Sequence, residues 1–146
     1  MAVRTTAGST LAVSAVYPAT QDAAGYNALT YITVGEITDL GSGIGKKYNV
    51  VNHSPVGTRK LIKIKGSYNN GTMALKMGRD ATDAGQAALL TAHDSDLYYS
   101  IKITFQDGTK NYFQALVTEF TVSLSTVDTI TERAVSLEIV TDIVEV

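Results

Sequence analysis

Several stretches of this chain alternate apolar and polar residues with a period of two. In LIKIKGSY, Ile62 and Ile64 alternate with Lys63 and Lys65. In TMALKM, Met73, Leu75 and Met77 alternate with Thr72, Ala74 and Lys76. In YSIKITF, Tyr99, Ile101, Ile103 and Phe105 face one way and Ser100, Lys102 and Thr104 the other. FTVSLS repeats the pattern with Phe120, Val122 and Leu124, and AVSLEI with Val135, Leu137 and Ile139. Successive side chains of a strand point to opposite faces, so each stretch predicts a half-buried strand with one face on a core. TYITVGEIT and STLAVSAV are further strand candidates.

The turns fit the strands. Asn69-Asn70-Gly71 lies between LIKIKGSY and TMALKM, and Asp107-Gly108 between YSIKITF and NYFQALV. Asn-Gly and Asp-Gly supply the positive φ of tight hairpins, so both are read as antiparallel hairpins. One segment breaks the period. In TDAGQAALLTAHD, Asp83 precedes Gln86 by three residues, a capping arrangement at the head of an Ala- and Leu-rich run. A helix over about 83–93 is predicted, its small apolar side against a sheet. Residues 18–29 (PATQDAAGYNAL) are small and polar and are read as irregular. Residues 41–58 (GSGIGKKYNVVNHSPVGT), with four glycines and a proline, read as a long loop, functional or mobile. The expected fold is mainly β: an antiparallel β-sandwich or barrel of about eight strands, with one flanking α-helix and that loop.

Length refines this picture little. At 146 residues the chain is read as a single domain over 1–146, large enough for a real core. There is no Cys, which excludes disulfides and thiolate metal sites, and no apolar run approaches a membrane span. LAVSAVYPA after Arg4 has a faint signal-peptide character, but Ser14 interrupts it and the alternation is that of a strand.

Charge changes the picture more. Residues 46–79 hold eight Lys or Arg and no Asp or Glu, whereas the rest of the chain holds four basic residues and all fourteen acidic ones. Residues 80–146 hold three basic and eleven acidic residues. The net charge of −2 argues against a basic nucleic-acid-binding domain. A basic two-strand surface near Tyr48 and Tyr68 could meet phosphates, but two tyrosines make a sparse stacking platform. The plain alternative is a solvated strand face. The favoured reading is a protein interface, in which the positive flank of one copy meets the negative flank of the next. Such a head-to-tail contact propagates into rings or filaments.

Candidate chemistry is thin. His53 and His93 have no nucleophile or orienting acid tied to them, and there is no GxSxG. His93 suits a helix C-terminus. Asp80, Asp83, Asp94 and Asp96 lack calcium-loop spacing and fit caps and turns. GSGIG is followed by no strand-to-helix turn of the dinucleotide kind. No catalytic, cofactor or metal site is expected.

The whole chain resembles the tail tube proteins of long-tailed bacteriophages. The resemblance runs through TLAVSAVYPATQDAAGYNALTYITVGEITDLGSG, KLIKIKGSYNNGTMALKMGRDATDAGQAALLTA, ITFQDGTKNYFQALVTEFTVS and VSLEIVTDIVEV. Its most telling parts are a Val34-Gly35-Glu36-Ile37 strand, the hairpin followed by the DAGQAAL helix, and the apolar closing strand. The resemblance implies a β-sandwich with a flanking helix that forms hexameric rings stacked into a hollow tube. Sheets of neighbouring subunits would join around a lumen through which DNA passes during ejection. The loop at about Leu40 to Thr58 would reach a neighbouring ring. Other tail proteins (tape measure, tail terminator, tail tip) would be partners, in a virion tail assembled in the host cytoplasm and without a membrane. The type VI secretion tube protein is similar in fold, so a secretion tube subunit is an alternative, as is a β-sandwich module binding sugars or single-stranded nucleic acid. The lack of Trp speaks against the module.

On this reading Lys46, Lys47, Tyr48, Arg59, Lys60, Lys63 and Lys65 are expected at inter-ring or inter-subunit contacts. A lumen must let DNA slide, so it avoids clustered cations. Thr121, Ser123, Ser125, Ser136 and Glu138, small and neutral or acidic, are the expected lumen-facing residues.

Overall fold

The computed structural model describes residues 3–41 and 43–146. In chain order the elements are β1 (Thr10–Ser14), α1 (Ala23–Asn27), β2 (Ile32–Val34), β3 (Ile37–Asp39), β4 (Lys47–His53) and β5 (Ile62–Asn69). They continue with β6 (Thr72–Gly78), α2 (Ala84–His93), β7 (Tyr99–Thr104), β8 (Lys110–Ser123), β9 (Glu132–Ile139) and β10 (Val144–Glu145). Eight strands form one antiparallel sheet in the order β2-β1-β7-β8-β9-β6-β3, with β10 also on β8. The two strands left over, β4 and β5, pair only with each other.

The sheet is curled by its own chain. β2 and β3 sit at opposite ends of the strand order, yet only Gly35 and Glu36 separate them in sequence. Three Cα–Cα steps cover at most about 11 Å, so the two edges must meet. The sheet therefore closes on itself as a barrel-like sandwich. The period-two residues of β6, β7 and β9 fill the inside: Met73, Leu75, Met77, Ile101, Ile103, Val135, Leu137 and Ile139 are buried, as the alternation predicts. The expected single strand around Val34-Gly35-Glu36-Ile37 is broken in two. Glu36 has φ 62°, a left-handed conformation that ends the strand and turns the chain from one edge to the other.

Helix α2 plugs the seam, close to the predicted span. Asp83 caps it by accepting from the Gln86 amide at 2.9 Å, and its carboxylate also accepts from the Gly35 amide at 3.1 Å. The fully buried Gln86 side chain does not close back on the cap residue. It donates to the carbonyls of Gly35 at 3.2 Å and Gly78 at 2.9 Å, and accepts from the Asp80 amide at 3.2 Å. One amide thus ties the β2–β3 crossing to the end of β6. Gly85 lets the helix approach β2, because a Cβ there would lie 2.4 Å from the Thr33 carbonyl oxygen.

A second, short helix, α1, lies in the segment read as irregular. Asp22 caps it through the Gly25 amide at 2.8 Å. Tyr26 of α1 stacks on Tyr112 of β8 at 5.4 Å, and Tyr31 leans on the same ring at 6.1 Å. Tyr112 and the core residue Phe113 are neighbours on one strand, so this cluster covers the outside of the sheet. Burial raises the pKa of all three tyrosines. With both faces covered there, β1 and β7 bury Ala12, Ser14 and Ser100 as well as their alternating apolar residues.

The structure corrects four further expectations of detail. The Asp107-Gly108 hairpin stands, joining paired β7 and β8, but the Asn69-Asn70-Gly71 hairpin does not. Gly71 has the expected positive φ of 93°, yet β6 pairs with β9 and β3, while β5 pairs with β4. The basic two-strand surface expected near Tyr48 and Tyr68 is therefore made by β5 with β4, and not with the strand that follows it. The expected loop at 41–58 is not a loop throughout, because Lys47–His53 is a strand. Val122 and Leu124 do not reach the core: β8 outruns the strands beneath it and both are exposed.

Candidate assembly surfaces

Three surfaces stand out as uncovered among the described residues. The first is an arm made of β4 and β5. All seven residues of β4 are exposed, and in β5 only Gly66 is partly covered. The cross-strand pairs Val50↔Lys65, Val51↔Ile64, Asn52↔Lys63 and His53↔Ile62 define its faces. Opposed residues share a face, so Val51, His53, Ile62 and Ile64 form one side and Val50, Asn52, Lys63 and Lys65 the other. Tyr48 and Tyr68 join the cationic side, with rings 5.3 Å apart. Lys65 lies over the Tyr48 ring and Lys46 over the Tyr68 ring, each 4.7 Å from the centroid. The period-two pattern of LIKIK is thus realised as a strand, but its apolar face meets no core of this chain. Ile64 remains 57% exposed.

The arm is fixed at its root. Lys46 pairs with Asp142 at 3.6 Å, and the buried Asn70 donates to the same carboxylate at 3.2 Å. The Asn70 bond and then the Lys46 charge hold the Asp142 carboxyl below its ordinary value. The Gly45 amide donates to the Asn70 carbonyl at 3.1 Å, closing the two strands where they leave the sheet. Of the seven expected contact residues, Lys46 is at this root, Lys47 and Tyr48 are on β4, and Lys63 and Lys65 on β5. Arg59 and Lys60 lie between the two strands, and all seven are exposed.

The second surface is the outer face of β6, β8 and β9. Register places Thr121, Ser123, Ser136 and Glu138 together on it, opposite the core residues Val135 and Leu137. Ser136 donates to Glu119 at 3.2 Å, and Thr72 donates to Glu138 at 2.6 Å. Glu132 and Lys76 share the face by the same register. Ser125 lies beyond the end of β8.

The third surface is the tip of the β8–β9 hairpin, which the sequence reading passed over. β8 runs on past its last pair with β7 at Ala115 and reaches Ser123 paired with Glu132. The connection beyond exposes Leu124, Val127 and Ile130, with Val122 beside them. The signal was present as large apolar residues flanking a Thr-rich turn, LSTVDTIT.

No group of three or more His, Asp or Glu able to hold a metal occurs among the described residues, and no described helix is long and apolar enough to cross a membrane. No family model matches the sequence, and no curated protein matches it. Solved structures do match. One is a chain of the anti-feeding prophage baseplate, six-fold symmetrised, at TM-score 0.71 and 12% identity, covering 100% of this chain and 97% of that one. Another is the SPP1 tail tube, at TM-score 0.62 and 14% identity, covering 94% of this chain and 75% of that one. The chain has the tail tube fold. A chain of the sheath/tube terminator of the extracellular contractile injection system PVC matches too, at TM-score 0.61 and 14% identity, over 93% of this chain and 92% of that one. In this tail tube fold the eight-stranded closed sheet and α2 account for the buried core, and the arm stands outside it.

Proposed function

We propose that the chain is a non-enzymatic structural subunit that assembles with copies of itself into the tube of a phage-like injection apparatus. The observation that carries this reading is the arm. It is a two-stranded element on a tail tube fold, and its apolar and cationic faces are exposed, without a covering partner among the described residues. An isolated two-stranded ribbon is marginal in water, so an exposed one with an apolar face is built to be covered. Unpaired strand edges point the same way. β4 and β5 each have one free edge, and β8 has one along Leu116–Ser123. A ring of copies pairs or covers edges that would otherwise aggregate.

Six copies per ring, stacked into a hollow tube, is the arrangement we infer. The six-fold baseplate of the anti-feeding prophage supports it. The face carrying Thr121, Ser123, Ser136 and Glu138 then lines the lumen. Its charged groups are Glu119, Glu132 and Glu138 against Lys76, a net acidic surface along which DNA slides without counterion-releasing contacts. The basic arm faces protein. Other tail components meet the ends of the tube, in an apparatus put together in the bacterial cytoplasm. Negative-stain electron microscopy of the purified protein tests this. Rings or tubes are expected, and single chains at every concentration and salt would overturn it.

A further inference from the structure

Exposed large apolar side chains fall mostly into three groups among the described residues. One is the arm and one is the β8–β9 tip. The third is Val16, Tyr17, Leu97 and Tyr98 beside the start of β7, where the Tyr17 hydroxyl already accepts from the Tyr98 amide at 3.2 Å. The arm and the hairpin tip lie at opposite ends of the sheet. β6 begins at Thr72 beside the root of the arm, paired with Glu138, and ends at Gly78 paired with Glu132, where the hairpin connection starts. Seven residues of strand place the two about 20 Å apart along β6. β8 then carries the tip away from the base on which the third group sits.

The two ends differ in charge as well. Residues 46–69 hold Lys46, Lys47, Arg59, Lys60, Lys63 and Lys65 and no acid, whereas residues 111–132 hold Glu119, Asp128 and Glu132 and no base. Arg79 and Arg133 border the tip. The Arg79 amide donates to the Thr131 carbonyl at 2.9 Å, and the Arg133 guanidinium lies 5.1 Å from the Phe120 ring centroid.

We infer that the arm of one copy seats its apolar face, Val51, Ile62 and Ile64, on the β8–β9 tip, Val122, Leu124, Val127 and Ile130, of the next copy along the tube. This rests on the tube reading and adds the acceptor surface to it. Both partners are apolar, and the segments that carry them are opposite in net charge, 46–69 basic and 111–132 acidic, which favours this pairing over like with like. Donor and acceptor lie at different ends of one molecule, so the contact is heterologous and repeats without closing, which gives the tube a direction.

The chain has no cysteine, so introduced thiols report cleanly. Ile64→Cys and Val127→Cys are made on separate chains, one carrying a mass tag, mixed, allowed to assemble and then oxidised. Ile64 and Val127 are 57% and 100% exposed, so folding is undisturbed. A mixed Ile64–Val127 dimer on a non-reducing gel, at least tenfold above the like–like dimers, is expected. Tubes without that band, or with Ile64→Cys joining Tyr98→Cys instead, overturn the docking while leaving the tube reading intact. If wild-type protein forms no tubes, both fall. Should the thiol variants fail to assemble, a density map of wild-type tubes reads the contact directly. The arm against residues 122–130 supports the proposal, and the arm against any other surface refutes it.

Discussion

Gln86→Leu perturbs the seam of the barrel while keeping side-chain volume nearly constant. The amide makes three bonds that leucine cannot: two to the carbonyls of Gly35 and Gly78, and one from the Asp80 amide. Each such bond contributes about 0.5–1.5 kcal/mol net, and leaving a buried partner unsatisfied costs about 1–3 kcal/mol. The three partners are half-buried, so water can replace part of what is lost, and leucine is the better core residue. The balance is a loss of about 2–4 kcal/mol. For a domain of this size each kcal/mol moves Tm by about 2–4 °C, so a fall of about 5–15 °C is expected. Circular dichroism melts of the unassembled protein measure it, with Thr91→Ala on the exposed side of α2 as a control. Hydrogen exchange adds a location: Gly35, Glu36 and Gly78 should lose protection before the centre of β7. A Tm shift under 2 °C, or protection lost evenly, would refute the idea that this one side chain closes the sheet.

Gly85→Ala should also destabilise, by about 1–3 kcal/mol in a chemical denaturation curve, because its Cβ meets the backbone of Thr33 and Val34 at 2.4 and 2.5 Å. Replacing Lys47–Asn69 by a two-residue Gly-Ser linker should leave Tm within a few degrees and abolish tubes in micrographs. Tubes of normal length from that variant would remove the arm from assembly. Asp142 has a depressed folded pKa, so its hold on the arm root is complete above the ordinary value of 3.8 and is lost as pH falls through the lowered one. Amide exchange at Lys46 and Asn70 should therefore quicken on acidification, and Asp142→Asn should make it quick already at neutral pH. Unchanged exchange in that variant would show that the root is held by backbone pairing alone.

Much of the closed sheet is legible in the sequence because its strands have one face on a core made by this same chain. Met73-Leu75-Met77 and Val135-Leu137-Ile139 alternate and are buried accordingly. Ile62 and Ile64 alternate just as well, and period two cannot say whether the covering surface belongs to the same molecule. That is why the arm reads in the sequence as a core strand preceded by a loop. The Asn69-Asn70-Gly71 signal was sound locally, since the Asn69 side chain accepts from the Gly71 amide at 2.9 Å. Turn chemistry sets φ and ψ, however, and does not choose strand partners. A deletion drawn across the expected loop, residues 42–56, would have removed β4 and stripped β5 of its only partner. Helix α1, at five residues, is too short for periodicity to show, although Asp22 three residues before Gly25 marks its start. The basic residues expected at contacts stand out in the sequence as a charge run, whereas the hairpin tip shows only as apolar residues around a Thr-rich turn. Its projection emerges once register shows how far β8 outlasts β7.

The arm joins the body through little more than the Gly45–Asn70 pairing and the Asp142 clasp. Among the described residues its eight- and seven-residue strands pair only with each other. In the proposed tube the first encounter would therefore bear the ordering entropy of a ribbon with nothing yet to rest on, while every later subunit would arrive at an end already arranged. On that proposal, growth from a preformed seed should outrun spontaneous starts. A pool of free subunits would then wait, dissolved and idle, until a template is supplied.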